Sequence, residues 1–180
     1  MKFKTGAFIA AASMLAVTAF AAINSGLKLG ESPSPFQVVD VTGPMKGKQL
    51  CYRCKFGPAP VLAAFINGDA KKSEKLLTDL QKIVDAHKAQ GLKSFVVYMS
   101  GPESKDAIQK AAADAKITIP LTFLPKGAKE EDIATYKISP DAKNTVLIWK
   151  QSEVKGNFVN VDAAGASATE VSKAVDAMLK

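Results

Sequence analysis

The fold is decided by the stretch from residue 61 to residue 99, which reads VLAAFINGDAKKSEKLLTDLQKIVDAHKAQGLKSFVVYM. Its first six residues, Val61–Ile66, are apolar without alternation, which is typical of a strand buried on both faces. The middle predicts an amphipathic helix, because its core-facing residues recur with a period of 3.6. They are Leu76, Leu77, Leu80, Ile83, Val84 and His87. Because residues 95–99 form a second apolar run, the stretch predicts a strand, a crossover helix and a second, parallel strand.

Shorter elements flank this unit on both sides. We expect further strands at residues 36–41, 49–52, 120–123, 145–149 and 157–161, and further helices at residues 107–115, 130–136 and from Ser167 onward. The last two strands are joined by a loop too short for a crossover helix, so they should pair antiparallel. Ser167 and Glu170 have the spacing of a capping box at the start of the last helix. The pattern predicts an α/β protein with a mixed central sheet and helices on both faces, the three-layer α/β/α sandwich of the thioredoxin-like fold.

The composition excludes several classes of protein. The chain has 180 residues, 47% of them hydrophobic and 23% charged, so it is neither disordered nor collagen-like. Two cysteines are too few for a small disulfide-stapled scaffold, and a single histidine argues against zinc hydrolases and Ser-His-Asp enzymes. Because that histidine, His87, lies on the apolar stripe of its helix, we interpret it as a packed side chain and not as a metal ligand. The net charge of +7 comes from dispersed lysines, so no nucleic-acid partner is expected.

The N-terminal segment has the three parts of a secretory signal. Two lysines precede an apolar stretch, and Ala-Phe-Ala at residues 19–21 supplies the small-x-small pattern of a cleavage site. We expect a signal peptide over residues 1–21, cleaved after Ala21, then an irregular lead-in over residues 22–35 and one domain over residues 36–180. The mature protein would be periplasmic or secreted and would not contact the membrane, whereas an uncleaved membrane anchor is the alternative.

Several segments of the chain resemble the redoxin group, which contains the peroxiredoxins and thiol-specific antioxidant proteins. They are Leu29-Gly30, Pro35-Phe36, Val38-Val39-Asp40, residues 41–48, Ile119-Pro120-Leu121, residues 134–138 and residues 145–148. The resemblance covers roughly residues 27–179 and implies a thioredoxin-like fold. In that group the reactive cysteine lies just after the central strand, at a helix N-terminus, where backbone N–H groups stabilise a thiolate.

Two positions depart from the redoxin pattern. Residues 67–74, which follow the expected central strand, contain no cysteine. The position of the group's cis-proline falls near Lys143 and Asn144, neither of which is proline. The resemblance therefore implies the fold without the standard peroxidatic site, and peroxiredoxin chemistry is not expected.

Both cysteines lie before the central strand, in the motif Cys51-Tyr52-Arg53-Cys54. Thiol exchange needs two sulfurs that can meet and a stabilised thiolate, and Arg53 and Lys55 supply positive neighbours. Because a Gly-Pro-Ala-Pro run follows from residue 57, the sequence predicts no helix at the motif, and an extended segment must turn tightly to form a disulfide. Four uses stay open: a stable local disulfide, a redox-active pair, a copper(I) or zinc site on the two thiolates, and an unpaired or intermolecular use.

The favoured hypothesis is an exported protein whose cysteine pair exchanges with a protein thiol or disulfide. Cys51, the N-terminal member, is expected to attack a partner disulfide, and Cys54 is expected to resolve the mixed disulfide. Tyr52, Arg53 and Phe56 are expected to form a rim around the pair. The alternative is a non-catalytic binding or scaffold module with a structural disulfide. Neither hypothesis implies a cofactor.

Overall fold

A computed structural model describes residues 23–162 and 166–180. The strands in this part of the chain are β1 (Val38–Asp40), β2 (Gln49–Leu50), β3 (Val61–Ile66), β4 (Lys93–Tyr98), β5 (Leu121–Phe123), β6 (Asn144–Lys150) and β7 (Glu153–Val159). The α-helices are α1 (Tyr52–Phe56), α2 (Glu74–His87), α3 (Lys105–Asp114), α4 (Glu131–Ala134) and α5 (Ala168–Leu179). The expected signal peptide, residues 1–21, lies outside the described residues. Among the helices that are described, none combines the length and the apolar character needed to cross a membrane.

The strands form one mixed sheet in the order β2-β1-β5-β4-β3-β6-β7. β3 and β4 are parallel, with Ala63 opposite Phe95, and α2 makes the crossover between them. β6 runs antiparallel to β3 on its other side, so β3 is central and all of its residues are buried. The strand-helix-strand unit expected from residues 61–99 is confirmed, and with it the α/β thioredoxin-like fold.

Alternate residues of β3 point into two separate hydrophobic layers. The even-numbered residues pack with the apolar faces of α2, α3 and α5. The odd-numbered residues pack in the other layer with Tyr52 of α1, Ile133 of α4 and Leu27 of the lead-in. Helices therefore cover both faces, as expected, but two short helices and irregular chain cover the second one.

The hairpin of β6 and β7 is antiparallel, as expected, but its turn is tighter than the sequence suggested. The sequence predicts a loop that ends in Gly156, whereas only Gln151 and Ser152 join the strands. Both have φ in the left-handed region, 55° and 62°, as in two-residue turns that follow the right-handed twist of a hairpin. The turn sequence is Gln-Ser, so this hairpin lacks the usual Asn-Gly signal. Gly156 lies instead inside β7, opposite Ile148.

The lead-in is irregular over its described residues, and it packs along β7. The N–H of Gly30 donates to the Val154 carbonyl at 2.9 Å, and the N–H of Val154 donates to the Glu31 carbonyl at 2.9 Å. Ser25 is buried, and its hydroxyl lies 2.6 Å from the hydroxyl of Thr145. The lead-in therefore satisfies backbone groups at the outer edge of β7, where an uncovered strand would invite pairing with another chain.

A buried histidine joins α2 to α5. His87 is the last residue of α2, and its Nδ1 lies 2.7 Å from the carbonyl oxygen of Ile83. Its Nε2 lies 2.8 Å from a carboxylate oxygen of Asp176 in α5. The hydrogen bond to Asp176, followed by the one to Ile83, raises the pKa of the His87 imidazole above its ordinary value. The interpretation of His87 as a packed side chain is confirmed.

Candidate functional site

The two cysteines form a disulfide around the first turn of α1. Their sulfurs are 2.08 Å apart and their Cα atoms 5.2 Å apart. Because α1 begins immediately after Cys51, the motif lies inside a helical turn, which brings the two side chains together. The expectation that the motif has no helix is therefore wrong. The Gly-Pro run that argued against a helix marks the end of this one, since Gly57 caps it with a φ of 54°.

Cys51 is the N-cap residue of α1. Its backbone is extended, and its carbonyl accepts the N–H of Lys55 at 3.0 Å, the first hydrogen bond of the helix. Its Sγ accepts the N–H of Cys54 at 3.0 Å. The sulfur therefore takes the place of the side-chain oxygen that typically caps the start of a helix. A thiolate at Cys51 would keep this backbone donor, so the sulfur is suited to carry negative charge when the disulfide opens.

Tyr52, which follows Cys51 in the motif, lies in the core. It is 1% exposed, its ring stacks on that of Phe95 with centroids 5.3 Å apart, and its hydroxyl donates to Asp40 at 2.8 Å. Burial first, and then the Asp40 carboxylate, raise the pKa of the phenol above its ordinary value, so Tyr52 remains a donor. The expectation of a rim position for Tyr52 is corrected, because the helical turn directs this side chain into the core, against Phe95 and Asp40.

The buried carboxylate of Asp40 organises the chain in front of the motif. Besides the hydroxyl of Tyr52, it accepts the N–H of Gly43 at 2.6 Å and the N–H of Met45 at 2.8 Å. Asp40 was not singled out from the sequence. A signal was available, because an aspartate at the end of an apolar strand, before a Gly-Pro turn, is a common side-chain cap of such a turn.

Arg53 ties α1 to two other segments. Its Nε donates to the Pro33 carbonyl of the lead-in at 2.9 Å, and its Nη2 donates to the Ser152 hydroxyl in the β6–β7 turn at 2.7 Å. The N–H of Gln151 in the same turn donates to the Pro58 carbonyl at 3.0 Å. The cysteine segment is therefore held by contacts that do not depend on the disulfide.

The two cysteines differ in exposure. Cys51 is only 9% exposed, whereas Cys54 and Lys55 are exposed. Phe56 is half-buried, with its ring centroid 5.3 Å from that of Tyr52. The surface at the pair therefore consists of Cys54 and Lys55 with parts of Arg53 and Phe56.

The position of the redoxin active site lies on the other face of the sheet. There the segment that follows β3 lines a cavity of about 540 Å³, together with Leu76 of α2 and Ala168 of α5. It offers no sulfur. Its buried hydroxyl, that of Ser73, contacts Tyr98 Oη at 2.7 Å and donates to the Ala70 carbonyl. No cis peptide bond occurs in the described part of the chain. The cysteine pair therefore does not rebuild the redoxin site in space, because α1 packs in the opposite layer.

Comparison with known proteins supports the fold. No family model and no curated protein matches the chain. The thioredoxin domain of a thiol-disulfide oxidoreductase from Bacteroides vulgatus is 15% identical over 86% of this chain and 99% of that chain, with a TM-score of 0.66. A thiol:disulfide interchange protein of the thioredoxin family from Chlorobium tepidum is 13% identical over 84% of this chain and 97% of its own, with a TM-score of 0.62.

The redoxin side of the resemblance also has a structural counterpart. A yeast mitochondrial 1-Cys peroxiredoxin is 15% identical over 84% of this chain and 76% of its own, with a TM-score of 0.63. At these identities a likeness shows the fold and leaves the chemistry to be argued from the residues. The chain has the thioredoxin-like fold that thiol-disulfide interchange proteins and peroxiredoxins share.

Proposed function

We propose that this protein is an exported thiol-disulfide exchange protein that works through Cys51 and Cys54. The observation that carries the proposal is a bonded cysteine pair, with one exposed member, on a helical turn that other contacts hold in place. Export is inferred from the signal-like segment at residues 1–21. The named activities of the structural neighbours from Bacteroides vulgatus and Chlorobium tepidum are compatible with it.

The exchange balances without any cofactor. A partner thiolate attacks one sulfur of the Cys51–Cys54 disulfide, the S–S bond breaks, and the other sulfur leaves as a thiolate. A second thiolate of the same partner then attacks the partner's sulfur in the mixed disulfide and releases the reduced pair. Two electrons pass from the partner dithiol to the pair, and the partner leaves with a disulfide. The reverse sequence reduces a partner disulfide.

The size of the closed loop argues against a purely structural disulfide. The bonded residues are three apart in sequence. In the chain-entropy account so short a loop contributes about 2 kcal/mol of stability, against about 3 kcal/mol for a loop of 15 residues. The bond therefore adds less stability than a long-loop disulfide does, and Tyr52 and Arg53 hold the folded segment independently of it.

The reduction potential of the pair tests the proposal. We expect equilibration with glutathione buffers to give a potential above about −300 mV, the level below which structural disulfides typically lie. The variant with both Cys51→Ser and Cys54→Ser, checked for folding by circular dichroism, should exchange no disulfide with a dithiol peptide. A potential below that level would contradict the proposal, and so would a double variant that exchanges disulfides as fast as the wild-type protein.

The non-catalytic scaffold module remains the alternative, and a low potential would favour it. A copper(I) or zinc site is the lesser alternative, and it requires the reduced pair. Within residues 23–162 and 166–180, His, Cys, Asp and Glu nowhere come together in a group of three. A metal would therefore depend on the two thiolates and on ligands of another kind, and metal analysis of the reduced protein tests this.

A further inference from the structure

A partner can reach one sulfur of the cysteine pair more easily than the other. Thiolate attack requires access to the attacked sulfur and a leaving sulfur that carries charge well. Cys54 is exposed and Cys51 is buried, so access favours attack at Cys54. The N–H of Cys54 donates to Cys51 Sγ at 3.0 Å, so the leaving thiolate would form on the sulfur that already has a donor. The partner would therefore bond to Cys54 and release Cys51. The sequence alone predicts the opposite roles, with Cys51 bonded to the partner and Cys54 resolving the mixed disulfide.

The residues close to Cys54 in sequence carry positive charge. No aspartate or glutamate occurs between Asp40 and Asp69, whereas this interval contains Lys46 and, nearer the motif, Lys48, Arg53 and Lys55. Lys48 is three residues before Cys51 and Lys55 follows Cys54 directly, so the Cα atom of each lies within roughly 10 Å of the Cα atom of the nearer cysteine. Arg53 donates to a carbonyl and a hydroxyl, both uncharged.

The acidic groups nearby do not neutralise these three cations. In the described part of the chain, no carboxylate forms an ion pair with Lys48, Arg53 or Lys55. Asp40 is buried under the turn and already accepts three hydrogen bonds. Two glutamates lie in the segments that Arg53 contacts, and each forms an ion pair with a lysine. A carboxylate oxygen of Glu31 lies 2.6 Å from Lys137 Nζ, and one of Glu153 lies 2.7 Å from Lys155 Nζ.

We propose that the surface formed by Lys48, Arg53, Cys54 and Lys55, here called the basic face, docks a protein whose reactive cysteine is flanked by acidic side chains, and that this cysteine bonds to Cys54. The proposal rests on the exchange function proposed above and adds the kind of partner and the point of attack. Opposite charge at a docking face raises the association rate, and salt screens the effect.

Three peptides of one length test the partner chemistry. Each contains a single cysteine, flanked by two glutamates, two glutamines or two lysines. The rate at which each peptide thiol opens the Cys51–Cys54 disulfide is divided by its rate with 2-hydroxyethyl disulfide, which corrects for differences in thiol reactivity. We expect the glutamate peptide to exceed the glutamine peptide by about tenfold at low ionic strength, and the ratio to approach one at high salt. Equal normalised rates at low salt would overturn the proposal.

Charge reversal locates the docking surface. Lys48→Glu combined with Lys55→Glu should make the lysine peptide faster than the glutamate peptide. The control is Lys88→Glu, because Lys88 is exposed beyond the end of α2, on the other face of the sheet. The control should keep the wild-type preference, and an equal change in both variants would contradict a local basic face.

Single-cysteine variants locate the point of attack. With a disulfide-linked glutamate peptide, Cys51→Ser, which retains Cys54, should form a mixed disulfide at least about tenfold faster than Cys54→Ser, because burial limits access to the sulfur. Faster reaction of Cys54→Ser would overturn the assignment of Cys54. If wild-type protein reacts with none of the three peptides, the exchange function itself fails, whereas reaction with all three at equal rates overturns only the partner inference.

Discussion

At the level of single residues, the Asp40 carboxylate holds the cysteine segment in place through its hydrogen bonds. It is buried and accepts two backbone N–H groups and the hydroxyl of Tyr52, the residue after Cys51, whose ring packs on Phe95. A buried carboxylate that loses a donor retains its cost of desolvation, so its partners matter more than those of a neutral acceptor.

Removing the Tyr52 hydroxyl tests whether a hydrogen bond to the Asp40 carboxylate contributes more stability than one to a neutral acceptor. Tyr52→Phe keeps the ring contacts and should lower the free energy of unfolding by about 1.5–3 kcal/mol, because the lost hydrogen bond goes to a charged group. Tyr136→Phe is the matched control, since that hydroxyl donates to the neutral Ser34 carbonyl at 2.8 Å; it should cost about 0.5–1.5 kcal/mol. Urea unfolding measures both values. A larger cost for Tyr136→Phe would contradict the role given to Asp40.

Gly43 lies against the side chains of Asp40 and Tyr52. A Cβ at this position would be 2.6 Å from Tyr52 Oη and 2.7 Å from an Asp40 oxygen, both fixed by burial. Gly43→Ala should therefore cost about 1–3 kcal/mol of unfolding free energy. Gly101→Ala is the control, because its Cβ would meet the flexible end of the Glu103 side chain at 2.6 Å, which can move away. Equal thermal unfolding of both variants would speak against a rigid site around Asp40.

At the scale of elements, α1 is a five-residue helix that could not persist alone. The core contacts of Tyr52 and the two donations from Arg53 hold it between the lead-in and the β6–β7 turn. The fold therefore supplies the helical turn whether or not the disulfide is closed.

Reduction of the disulfide tests this independence. Dithiothreitol should lower the free energy of unfolding by about 2 kcal/mol, the contribution of a very short loop, and should leave the protein folded. Chemical shift changes on reduction should stay close to residues 51–57. The double serine variant controls for effects of the reductant, since its stability should not respond. Global unfolding on reduction would show that the disulfide is a structural staple.

At the scale of the whole molecule, the contact between His87 and Asp176 links the packing of α2 and α5 to pH. The raised pKa of His87 means that the folded state holds its proton more tightly than the unfolded state. The resulting stability is fully present below the ordinary pKa of about 6.5 and is lost as pH rises through the raised value.

We therefore expect the free energy of unfolding to fall as pH rises above about 6.5, and Asp176→Asn to flatten this dependence. His87 is the only histidine in the sequence, so one imidazole proton signal in an NMR titration reports its pKa directly. A titration at or below the ordinary value in wild-type protein would refute the link.

Much of the fold could be predicted from local pattern, because burial imposes a period on the sequence. The apolar run of β3, the stripe of α2 and the capping box of Ser167 and Glu170 all appear where they were expected. The site was harder to predict: the cysteine pair was found, but its helix was missed, Asp40 was missed and Tyr52 was placed on the wrong side. These three features depend on residues far apart in sequence.

Local sequence patterns were enough to predict a thioredoxin-like α/β chain, a segment after β3 that contains no cysteine, and one CxxC motif in front of that strand. The folded chain was needed to show that this motif forms a helical turn, that Cys51 is buried while Cys54 is exposed, and that the pair lies in the layer opposite the redoxin site. The difference comes from the range of the forces involved. Periodicity is written into neighbouring residues, whereas the conformation and exposure of a short segment are set by the distant groups that pack against it.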